Sequence, residues 1–553
     1  MNGTDGVRSH NDNDTRHDTG NDTRSAENGK GTGRLGARAV IDRVIDPGSW
    51  AGWDGAPLPV AAPGSVYAAE LDRAARRAGT DEAIVTGQAR IRGRRVAIIA
   101  GEFAFLAGSI GATAAERIVR AFERARIEGL PLLAAPSSGG TRMQEGTPAF
   151  VAMVKISAAV AAFKADGLPY LVYLRHPTTG GVFASWGSLG HVTVAEPGAL
   201  VGFLGPRVYE ALYGQPFPPG VQTAENLHAR GLIDAVLPVE QLADIAARTL
   251  NLLMAPREER PPVFTLPREP LPTVSAWESI QRSRRPERPS VRALLKLGAT
   301  DVVPLHGTNQ GEYDPALMLA LARFGGAACV VLGQNRRGQS VERPLSPSGL
   351  RAARRGMRLA AELKLPLVSV IDTAGAALSR EAEEGGLAGE IARCLSELVT
   401  LNAPTVCVLL GEGTGGGALA LMPADKVICA QHSWLSPLPP EGAAAILYRD
   451  PLRAAELAAV QGVRSIDLLA AGIVDRVVAE YPDAADEPAE FCARMSHVLA
   501  YELGKLLGMD PSRRLRDRLA RYRTLDVGIS NVVAPGGQST RAATASISTS
   551  WSG

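Results

Sequence analysis

Two glycine pairs are the residues whose type and spacing most clearly indicate chemistry in this sequence. Gly180–Gly181 lie in HPTTGGVFASWGSLG and Gly416–Gly417 lie in GEGTGGGALA, and each pair follows an apolar run typical of a buried strand. We expect a helix to begin at each pair. The first N–H groups of a helix have no intrahelical partner, and glycine lets another molecule approach the backbone closely. Such a turn can bind an anion or stabilise an oxyanion. Tight strand–helix packing is the alternative explanation.

The signatures of several other chemistries are absent or incomplete. The sequence has no GxxxxGK[ST], no GxSxG and no HExxH, which are the motifs of a P-loop, a nucleophile elbow and a zinc protease. Gly411, Gly413 and Gly416 have the GxGxxG spacing of a dinucleotide site. The acidic residue expected about 20 positions later is missing, so the dinucleotide interpretation is weak.

Four residues could supply an acid, a base or a polar cleft wall. Glu145 and Glu441 lie where helices are expected to start, and a carboxylate that stabilises a helix start explains both. His176 and His191 flank the first glycine pair, and a position in a turn or on a partly exposed surface explains each. The sequence therefore indicates oxyanion stabilisation more clearly than any acid, base or nucleophile.

Composition excludes several classes of protein. The net charge of +2 gives no reason to expect nucleic acid or a membrane surface as a partner. The 5 cysteines form no CxxC and none lies in the first 328 residues, so we expect no disulfide framework and no structural zinc. No apolar run of transmembrane length and no secretory signal are evident. A cytoplasmic protein with buried cysteines is the natural expectation.

Strand–helix alternation predicts an α/β architecture in two bodies. The bodies match each other: Gly140 precedes Gly181 by 41 residues, and Gly375 precedes Gly417 by 42. An internal duplication explains this spacing. The predicted segments are a disordered tail at 1–35, a first domain at 36–255, a Pro- and Arg-rich linker at 256–300, a second domain at 301–526 and a disordered tail at 527–553.

The motifs of both bodies resemble one known family. SSGGTRMQEG and HPTTGGVFAS in the first body resemble the β subunit of bacterial acetyl-CoA carboxylase carboxyltransferase, and GEGTGGGALAL and PPEGAAAIL in the second resemble its α subunit. The resemblance covers roughly 38–250 and 310–525. It implies a fused β–α carboxyltransferase with two tandem crotonase-like ββα-superhelix domains.

The resemblance also implies a reaction and a role for each glycine. CO2 would move from carboxybiotin to acetyl-CoA, giving malonyl-CoA. Gly180 and Gly181 would donate N–H groups to the thioester oxygen, and Gly416 and Gly417 would donate to the ureido oxygen of biotin. Biotin itself would take the α-proton once CO2 has left, which would explain the missing protein base. The residues that would shape the acyl-CoA and biotin pockets are Gly139, Gly140, Gly375, Gly415 and Ala418.

The implied partners are separate proteins. The sequence has no biotinylation motif of the Met-Lys-Met kind and no ATP-binding signature. Biotin would therefore arrive on a biotin carboxyl carrier protein that a separate biotin carboxylase charges. In the family, the site lies between the N-half of one chain and the C-half of another, which implies a homodimer or a higher homo-oligomer.

Two departures from the family leave alternatives open. The β family commonly begins with a four-cysteine zinc ribbon, which this chain lacks. The α pattern DTPGAYPG reads DTAGAALS here, with Ala374 in place of proline and Ala377 near the aromatic position. The alternatives are a propionyl-CoA or other acyl-CoA carboxyltransferase, a biotin-dependent decarboxylase of malonyl or methylmalonyl thioesters, and a non-catalytic assembly subunit. The altered segment 374–385 favours the last, and the intact glycine pairs argue against it.

Overall fold

Strands and helices alternate along the chain, and the parallel strands of each half collect into one sheet. The described residues from Gly36 onward form one unit by their contacts, so the two predicted domains pack together. The tails predicted to be disordered, 1–35 and 527–553, lie outside the described residues, apart from the last two residues of the first tail. The computed structural model describes residues 34–256, 271–340 and 342–524.

The first half is built on a mainly parallel sheet. Its strands are β1 (Ala51–Gly52), β2 (Ile84–Ile91), β3 (Arg94–Gly101), β4 (Leu132–Ala135), β5 (Tyr170–Leu174), β6 (Thr178–Thr179), β7 (Val192–Ala195), β8 (Val201–Gly202) and β9 (Ala235–Val236). The sheet order is β1-β2-β3-β4-β5-β7-β9, antiparallel up to β3 and parallel from there on. β6 and β8 form a separate short parallel pair.

Helices connect and cover these strands. They are α1 (Ala37–Val44), α2 (Val66–Ala78), α3 (Ala112–Ile127), α4 (Gly146–Ala165), α5 (Pro206–Tyr213), α6 (Ala224–Ala229) and α7 (Val239–Leu253). α3 follows β3 and α4 follows β4, which gives the strand–helix–strand connections that parallel pairing needs. Phe122 of α3 meets Phe163 of α4 and Tyr170 of β5 edge-on, with ring centroids 5.5 and 5.2 Å apart.

The second half repeats this plan. Its strands are β10 (Thr300–Leu305), β11 (Leu317–Phe324), β12 (Ala327–Gln334), β13 (Leu367–Thr373), β14 (Thr405–Thr414), β15 (Lys426–Ala430), β16 (Trp434–Ser436) and β17 (Arg476–Val478). The order is β10-β11-β12-β13-β14-β15-β17, again antiparallel up to β12 and parallel afterwards. β13 and β14 are buried along their whole length, as parallel strands covered on both faces must be.

The helices of the second half are α8 (Ala276–Ser283), α9 (Val291–Gly298), α10 (Pro347–Leu363), α11 (Arg380–Glu384), α12 (Leu387–Val399), α13 (Gly415–Leu419), α14 (Pro440–Tyr448), α15 (Ala454–Gln461), α16 (Ser465–Ala470), α17 (Pro488–Leu507) and α18 (Pro511–Thr524). α10 follows β12 as α3 follows β3, which matches the duplication predicted from the sequence. All five cysteines lie in this half, buried and unpaired.

The described part of the predicted linker, 271–300, is folded against the second half. It forms α8 and α9, and its arginines bond to acidic groups of the second half. Arg284 reaches Glu412 at 2.6 Å, and Arg288 reaches Glu480 at 2.5 Å. The Pro- and Arg-rich composition indicated a linker between two bodies, because the acidic partners of these arginines lie more than 100 residues away in sequence. We call the segment 282–288 the arginine clasp.

The two halves meet through buried polar contacts. Arg355 of α10 donates to both carboxylate oxygens of Asp234, at 2.8 and 2.9 Å. Glu362, near the end of α10, lies 3.1 Å from Lys164 and 3.2 Å from His191. The bond from His191 holds the pKa of Glu362 at about 2. Burial lowers the pKa of His191.

One helical stretch, Met143–Ala165, is long and apolar enough to cross a membrane by length and composition. The sequence analysis identifies no apolar run of this length, because Glu145, Lys155 and Lys164 interrupt the stretch. Only 28% of its most apolar window is buried. Its exposed apolar side chains include Phe150, which is 66% exposed. Apolar side chains of α4 therefore form part of the surface of the described chain.

The C-terminal helix α18 is anchored by one buried arginine. Arg518 is 1% exposed and donates to both carboxylate oxygens of Asp425, at 2.8 and 2.7 Å. It also donates to the carbonyl oxygens of Leu401 at 2.7 Å and Ala403 at 2.8 Å. Arg518 therefore fastens α18 to the loop that leads into β14.

We expect Arg518→Met to lower the free energy of unfolding by about 3–5 kcal/mol, because the Asp425 carboxylate would be left buried with its main partner removed. Urea denaturation followed by circular dichroism measures the change. Arg516→Met, at an exposed position of the same helix, is the matched control and should stay within about 0.5 kcal/mol of the parent. Equal losses in the two variants would contradict the anchoring role.

Candidate active site

Each half carries a glycine turn at the same place in its fold, beyond the carboxyl ends of two parallel strands. In the first half Ser138 pairs with Thr178, and in the second Thr373 pairs with Gly413. Both pairs are separated by 40 residues. The loops that follow these paired residues therefore correspond between the halves. This edge of a parallel sheet is where α/β proteins bind their ligands.

The first loop of each half is locked by a hydroxyl. Gly140 has φ 113° and Gly375 has φ 133°, backbone angles that favour glycine. The N–H of Gly140 donates to Ser138 Oγ at 3.0 Å, and the N–H of Gly375 donates to Thr373 Oγ1 at 3.1 Å. The sequence analysis missed these hydroxyls. The signal was present as a repeated Ser/Thr-x-Gly, in SSGG and in TAG.

The second loop of each half also begins with a matched glycine. Gly180 has φ 62° and Gly415 has φ 63°. Because each lies two residues after the paired strand position, the backbone aligns Gly180 with Gly415 and Gly181 with Gly416. The spacing argument from sequence had aligned Gly181 with Gly417, which is wrong by one residue. A count of glycines cannot detect this shift, since the second cluster has three of them.

The four glycines predicted in the first half differ in whether their N–H groups are available. Gly139 donates to Ala107 O at 2.9 Å, and Gly180 donates to Phe203 O at 2.9 Å. Gly140 is used by Ser138, as described above. Among the described residues, no group accepts from the N–H of Gly181. The predicted donor role of Gly180 is therefore not met in this structure, and Gly181 remains available.

The helix predicted to begin at Gly181 does not form. The chain continues in turns, with a 3-10 turn at Trp186–Ser188. Ser185 Oγ donates to Gly181 O at 2.5 Å, which takes the carbonyl that a helical N–H would have used. Serine competes with the backbone in this way and disfavours a regular helix. The glycine turn of the first half, at Gly180–Gly181, is called the first turn below. It thus lacks a helix dipole and depends on individual N–H groups.

Thr141 adds a second available donor beside Gly181. The neighbours of Thr141 use the pairing with Ile110, since Ile110 N donates to Gly140 O at 2.9 Å and Arg142 N donates to Ile110 O at 3.0 Å. Among the described residues, nothing accepts from the N–H of Thr141. A Cβ placed on Gly181 would lie 3.4 Å from Thr141 Oγ1, so the two residues are in contact.

The second half presents a comparable set of donors. Gly416 and Gly417 lie in the first turn of α13, where N–H groups have no intrahelical acceptor. A Cβ on Gly417 would lie 3.1 Å from Ala376 N. No described residue accepts from the N–H of Ala376. Ala418, predicted to line the biotin pocket, is buried in α13.

The GxGxxG spacing does not mark a dinucleotide site. Gly411 and Gly413 lie within strand β14, not in a turn between strand and helix. A Cβ on Gly411 would lie 2.4 Å from Asp372 Oδ1, and a Cβ on Gly413 would lie 3.0 Å from Trp434 O. These glycines therefore allow close packing of neighbouring strands.

Acidic groups near the glycine turn of the second half, at Gly415–Gly417 and called the second turn below, are held by hydrogen bonds and ion pairs. Burial raises the pKa of Asp372 to about 6, and its Oδ1 accepts from Glu412 N at 3.2 Å. Arg284 of the arginine clasp donates to Glu412 at 2.6 Å and to Glu441 at 2.5 Å. The bond from Arg284 lowers the pKa of Glu441. Glu441 thus lies at the start of α14, as the sequence analysis expected. There it forms an ion pair with Arg284.

Glu145 stabilises the start of α3 and not the start of α4, the helix that follows it in the chain. Its Oε2 accepts from Ala112 N, the first residue of α3, at 2.6 Å. Its Oε1 accepts from Tyr67 Oη at 2.5 Å and from Arg142 at 3.3 Å. Burial and the bond to Glu145 raise the pKa of Tyr67. The carboxylate therefore ties the loop after Thr141 to α2 and α3.

The two histidines have structural partners. His176 Nδ1 accepts from Leu200 N at 3.0 Å, and its backbone N–H donates to Glu196 at 2.9 Å. His191 Nδ1 accepts from Tyr170 N at 2.9 Å. Both were expected in turns or at a partly exposed surface, whereas His191 is buried at the junction of the halves. In the part of the chain that the structure describes, no three His, Cys, Asp or Glu side chains are placed to hold a metal ion.

Comparison with known proteins agrees with this geometry. The carboxyl transferase domain family matches residues 30–516. A Mycobacterium tuberculosis protein named "probable biotin-dependent acyl-coenzyme A carboxylase beta3 subunit" is 60% identical over 482 residues, which are 87% of this chain and 97% of that protein. The acetyl-coenzyme A carboxylase carboxyl transferase subunits beta/alpha of Salinispora arenicola are 38% identical over 520 residues, 89% of this chain and 90% of theirs.

The fold has solved counterparts. The transcarboxylase 12S hexamer, solved with methylmalonyl-coenzyme A, superposes with a TM-score of 0.65 at 21% identity, covering 84% of this chain and 89% of its own. The two halves have the crotonase-like fold of carboxyltransferases. The chain belongs to the carboxyl transferase family, whose members here are biotin-dependent acyl-CoA carboxyltransferases.

We expect Thr373→Val to destabilise the protein by about 1–3 kcal/mol, because the Gly375 N–H and the Gln339 amide oxygen would lose their hydroxyl partner in a buried place. Thr249→Val is the matched control, since the Thr249 hydroxyl is buried without a hydrogen-bond partner among the described residues. The control should be neutral or stabilising. Chemical denaturation of both variants tests this, and an unaffected Thr373→Val would contradict the lock.

Proposed function

We propose that this chain is the carboxyltransferase component of a biotin-dependent acyl-CoA carboxylase, acting on acetyl-CoA to give malonyl-CoA. The observation that carries the proposal is the pair of matched turns with available N–H groups, one in each half. Propionyl-CoA or another short acyl-CoA is the alternative substrate, and the alanines at 374 and 377 bear on that choice. Five buried, unpaired thiols support a cytoplasmic location.

The first turn would stabilise the enolate of the thioester. Loss of the α-proton moves negative charge onto the thioester oxygen, and fixed N–H donors lower the energy of that charge without reorganising. We assign this role to Gly181, with Thr141 as its neighbouring donor. Gly180 and Gly140 supply the backbone angles, and Gly139 supports the loop through Ala107. This assignment moves one donor from Gly180 to Thr141.

The second turn would bind the ureido oxygen of biotin, which enters as substrate on a carrier protein. Biotin supplies CO2 and accepts the α-proton, so the chain needs no base of its own. Neutral N–H donors fit a ureido oxygen that gains charge, and we assign Gly416 and Gly417 to it, with Ala376 beside them. Gly375, Gly415 and Ala418 shape the surrounding backbone. A biotin carboxyl carrier protein and a biotin carboxylase are the expected partners.

A second copy of the chain would complete the site. Among the described residues, no hydrogen bond or ion pair joins 139–141 or 180–185 to the second half. The contact between α4 and α10 involves their last turns, at Lys164 and Glu362. The first turns of α4 expose apolar side chains, and Val154 is 68% exposed. We propose that this α4 face packs on α14 of another copy, where Ile446 and Leu447 are exposed.

The direct test uses purified, folded protein with free biotin. We expect biotin-stimulated release of CO2 from malonyl-CoA and slower release from methylmalonyl-CoA. A preference for methylmalonyl-CoA would favour the propionyl-CoA alternative. Absence of turnover with either thioester, in protein shown to be assembled and supplied with its carrier protein, would contradict the enzyme proposal and favour an assembly subunit.

Gly181→Val and Gly417→Val should each reduce decarboxylation by about 10²–10³-fold, because the added side chain displaces a donor. A Cβ on Gly181 would already lie 3.4 Å from Met153 Cγ. Gly326→Val is the matched control, since a Cβ there meets open space. Steady-state rates and melting temperatures are measured together. Rates equal to the control would refute the donor roles.

Phe150→Asp should weaken self-association by at least about 10-fold and reduce decarboxylation in parallel, because a charge on the α4 face costs desolvation at the proposed contact. Sedimentation velocity across a range of concentrations measures the association. Ile127→Asp, also at a highly exposed apolar position but on α3, is the control and should leave assembly unchanged. Loss of assembly without loss of activity would contradict a site shared between copies.

A further inference from the structure

One buried side chain connects the two loops of the second turn. Gln334 is the last residue of β12 and is fully buried. Its Nε2 donates to Gly417 O at 2.6 Å, and its Oε1 accepts from Asp372 N at 3.1 Å. The amide therefore links α13, which carries Gly417, to the end of β13, which leads into the loop of Gly375 and Ala376.

The carbonyl of Gly417 depends on this amide. α13 spans only Gly415–Leu419, and the N–H of Leu421 donates to Ala418 O at 3.2 Å and not to Gly417 O. Without Gln334 the buried carbonyl would lose its partner, which is costly. The bond also fixes the peptide that follows Gly417. The orientation of the glycine turn is thus set from β12, through a side chain and not through the helix itself.

The first half cannot use the same device. Ala97 pairs with Leu132 and Val330 pairs with Leu367, so Gly101 occupies the position that Gln334 occupies in the second half. A Cβ on Gly101 would lie 2.5 Å from Ser137 N, which leaves no room for a side chain. There Val182 corresponds to Gly417, and its carbonyl accepts from the N–H of Gly187 at 2.9 Å instead. The amide link is specific to the second turn.

We propose that Gln334 is a positioning residue for the biotin-side turn, holding Gly417 and the Gly375 loop at the separation that the ureido oxygen requires. The proposal rests on the proposed function and deepens it. A shift of about 1 Å in such donors can cost about 10²-fold in rate. Because Gln334 touches only the second turn, its loss should affect the use of biotin and leave acyl-CoA binding intact.

The test compares Gln334→Met with Ser369→Ala in biotin-dependent decarboxylation of malonyl-CoA. Met has nearly the same length as Gln but neither donor nor acceptor. Ser369 Oγ donates to Leu421 O at 2.7 Å, so its loss removes a buried bond near α13 without touching the glycines. We expect kcat/KM for free biotin to fall about 10- to 100-fold in Gln334→Met and less than about 3-fold in Ser369→Ala. The KM for malonyl-CoA and the calorimetric Kd of acetyl-CoA should stay within about 2-fold.

A second variant covers the case in which Gln334→Met does not fold. Gln334→Asn keeps an amide in place but is one methylene too short to reach both partners, and it should show the same loss for biotin. Wild-type kcat/KM for biotin in either folded variant, or equal losses for biotin and malonyl-CoA, would overturn the positioning role. If the wild-type protein itself decarboxylates neither malonyl-CoA nor methylmalonyl-CoA, the proposed function fails and this inference falls with it.

Discussion

The close approach of two backbone loops at the carboxyl edge of each sheet is the constraint on which the candidate site depends. In the first half a Cβ on Gly180 would lie 3.2 Å from the Cα of Gly140, and in the second a Cβ on Gly417 would lie 3.1 Å from Ala376 N. Only glycine allows both loops to come this near. The strands beneath, the hydroxyls of Ser138 and Thr373, and the helices behind them hold backbone against backbone at this edge of the sheet.

The two halves share this scaffold but stabilise it differently. Pro177, which lacks an N–H, lies where the first half divides its strand into β5 and β6, whereas β14 runs unbroken from Thr405 to Thr414. Phe203 O and Ser185 Oγ then engage the first turn. Gln334 and a short helix engage the second. A thioester oxygen and a ureido oxygen differ in the groups around them. Two turns with the same architecture and different supporting contacts would suit such a pair of substrates.

Much of this architecture could be predicted from the sequence, for physical reasons. Long buried strands are apolar throughout, and the glycine pairs follow them directly, so the strands, the duplication and the family were all evident. The correct alignment of the two glycine turns, which differs by one residue from the one predicted, was not evident. Three consecutive glycines look alike until strand pairing fixes the register. The helix after Gly181 was wrong because Ser185 takes the carbonyl that the helix needed. The packing of the predicted linker on the second half was not evident, because the acidic partners of Arg284 and Arg288 lie far away in sequence.

The junction between the halves bears on the proposal that a second copy of the chain completes the site. The halves are joined by buried ion pairs at Asp234–Arg355 and by Glu362 at the end of α10. Breaking such a pair by removing one partner is costly, so the junction fixes the halves relative to each other. The apolar surface of α4 beside the first turn is left exposed by that arrangement. An apolar helix surface that its own chain leaves exposed is typical of a contact with another molecule, and under the proposed function the turn next to it would work together with the turn of the other half. One additional copy of the chain would supply both the contact and the turn at once.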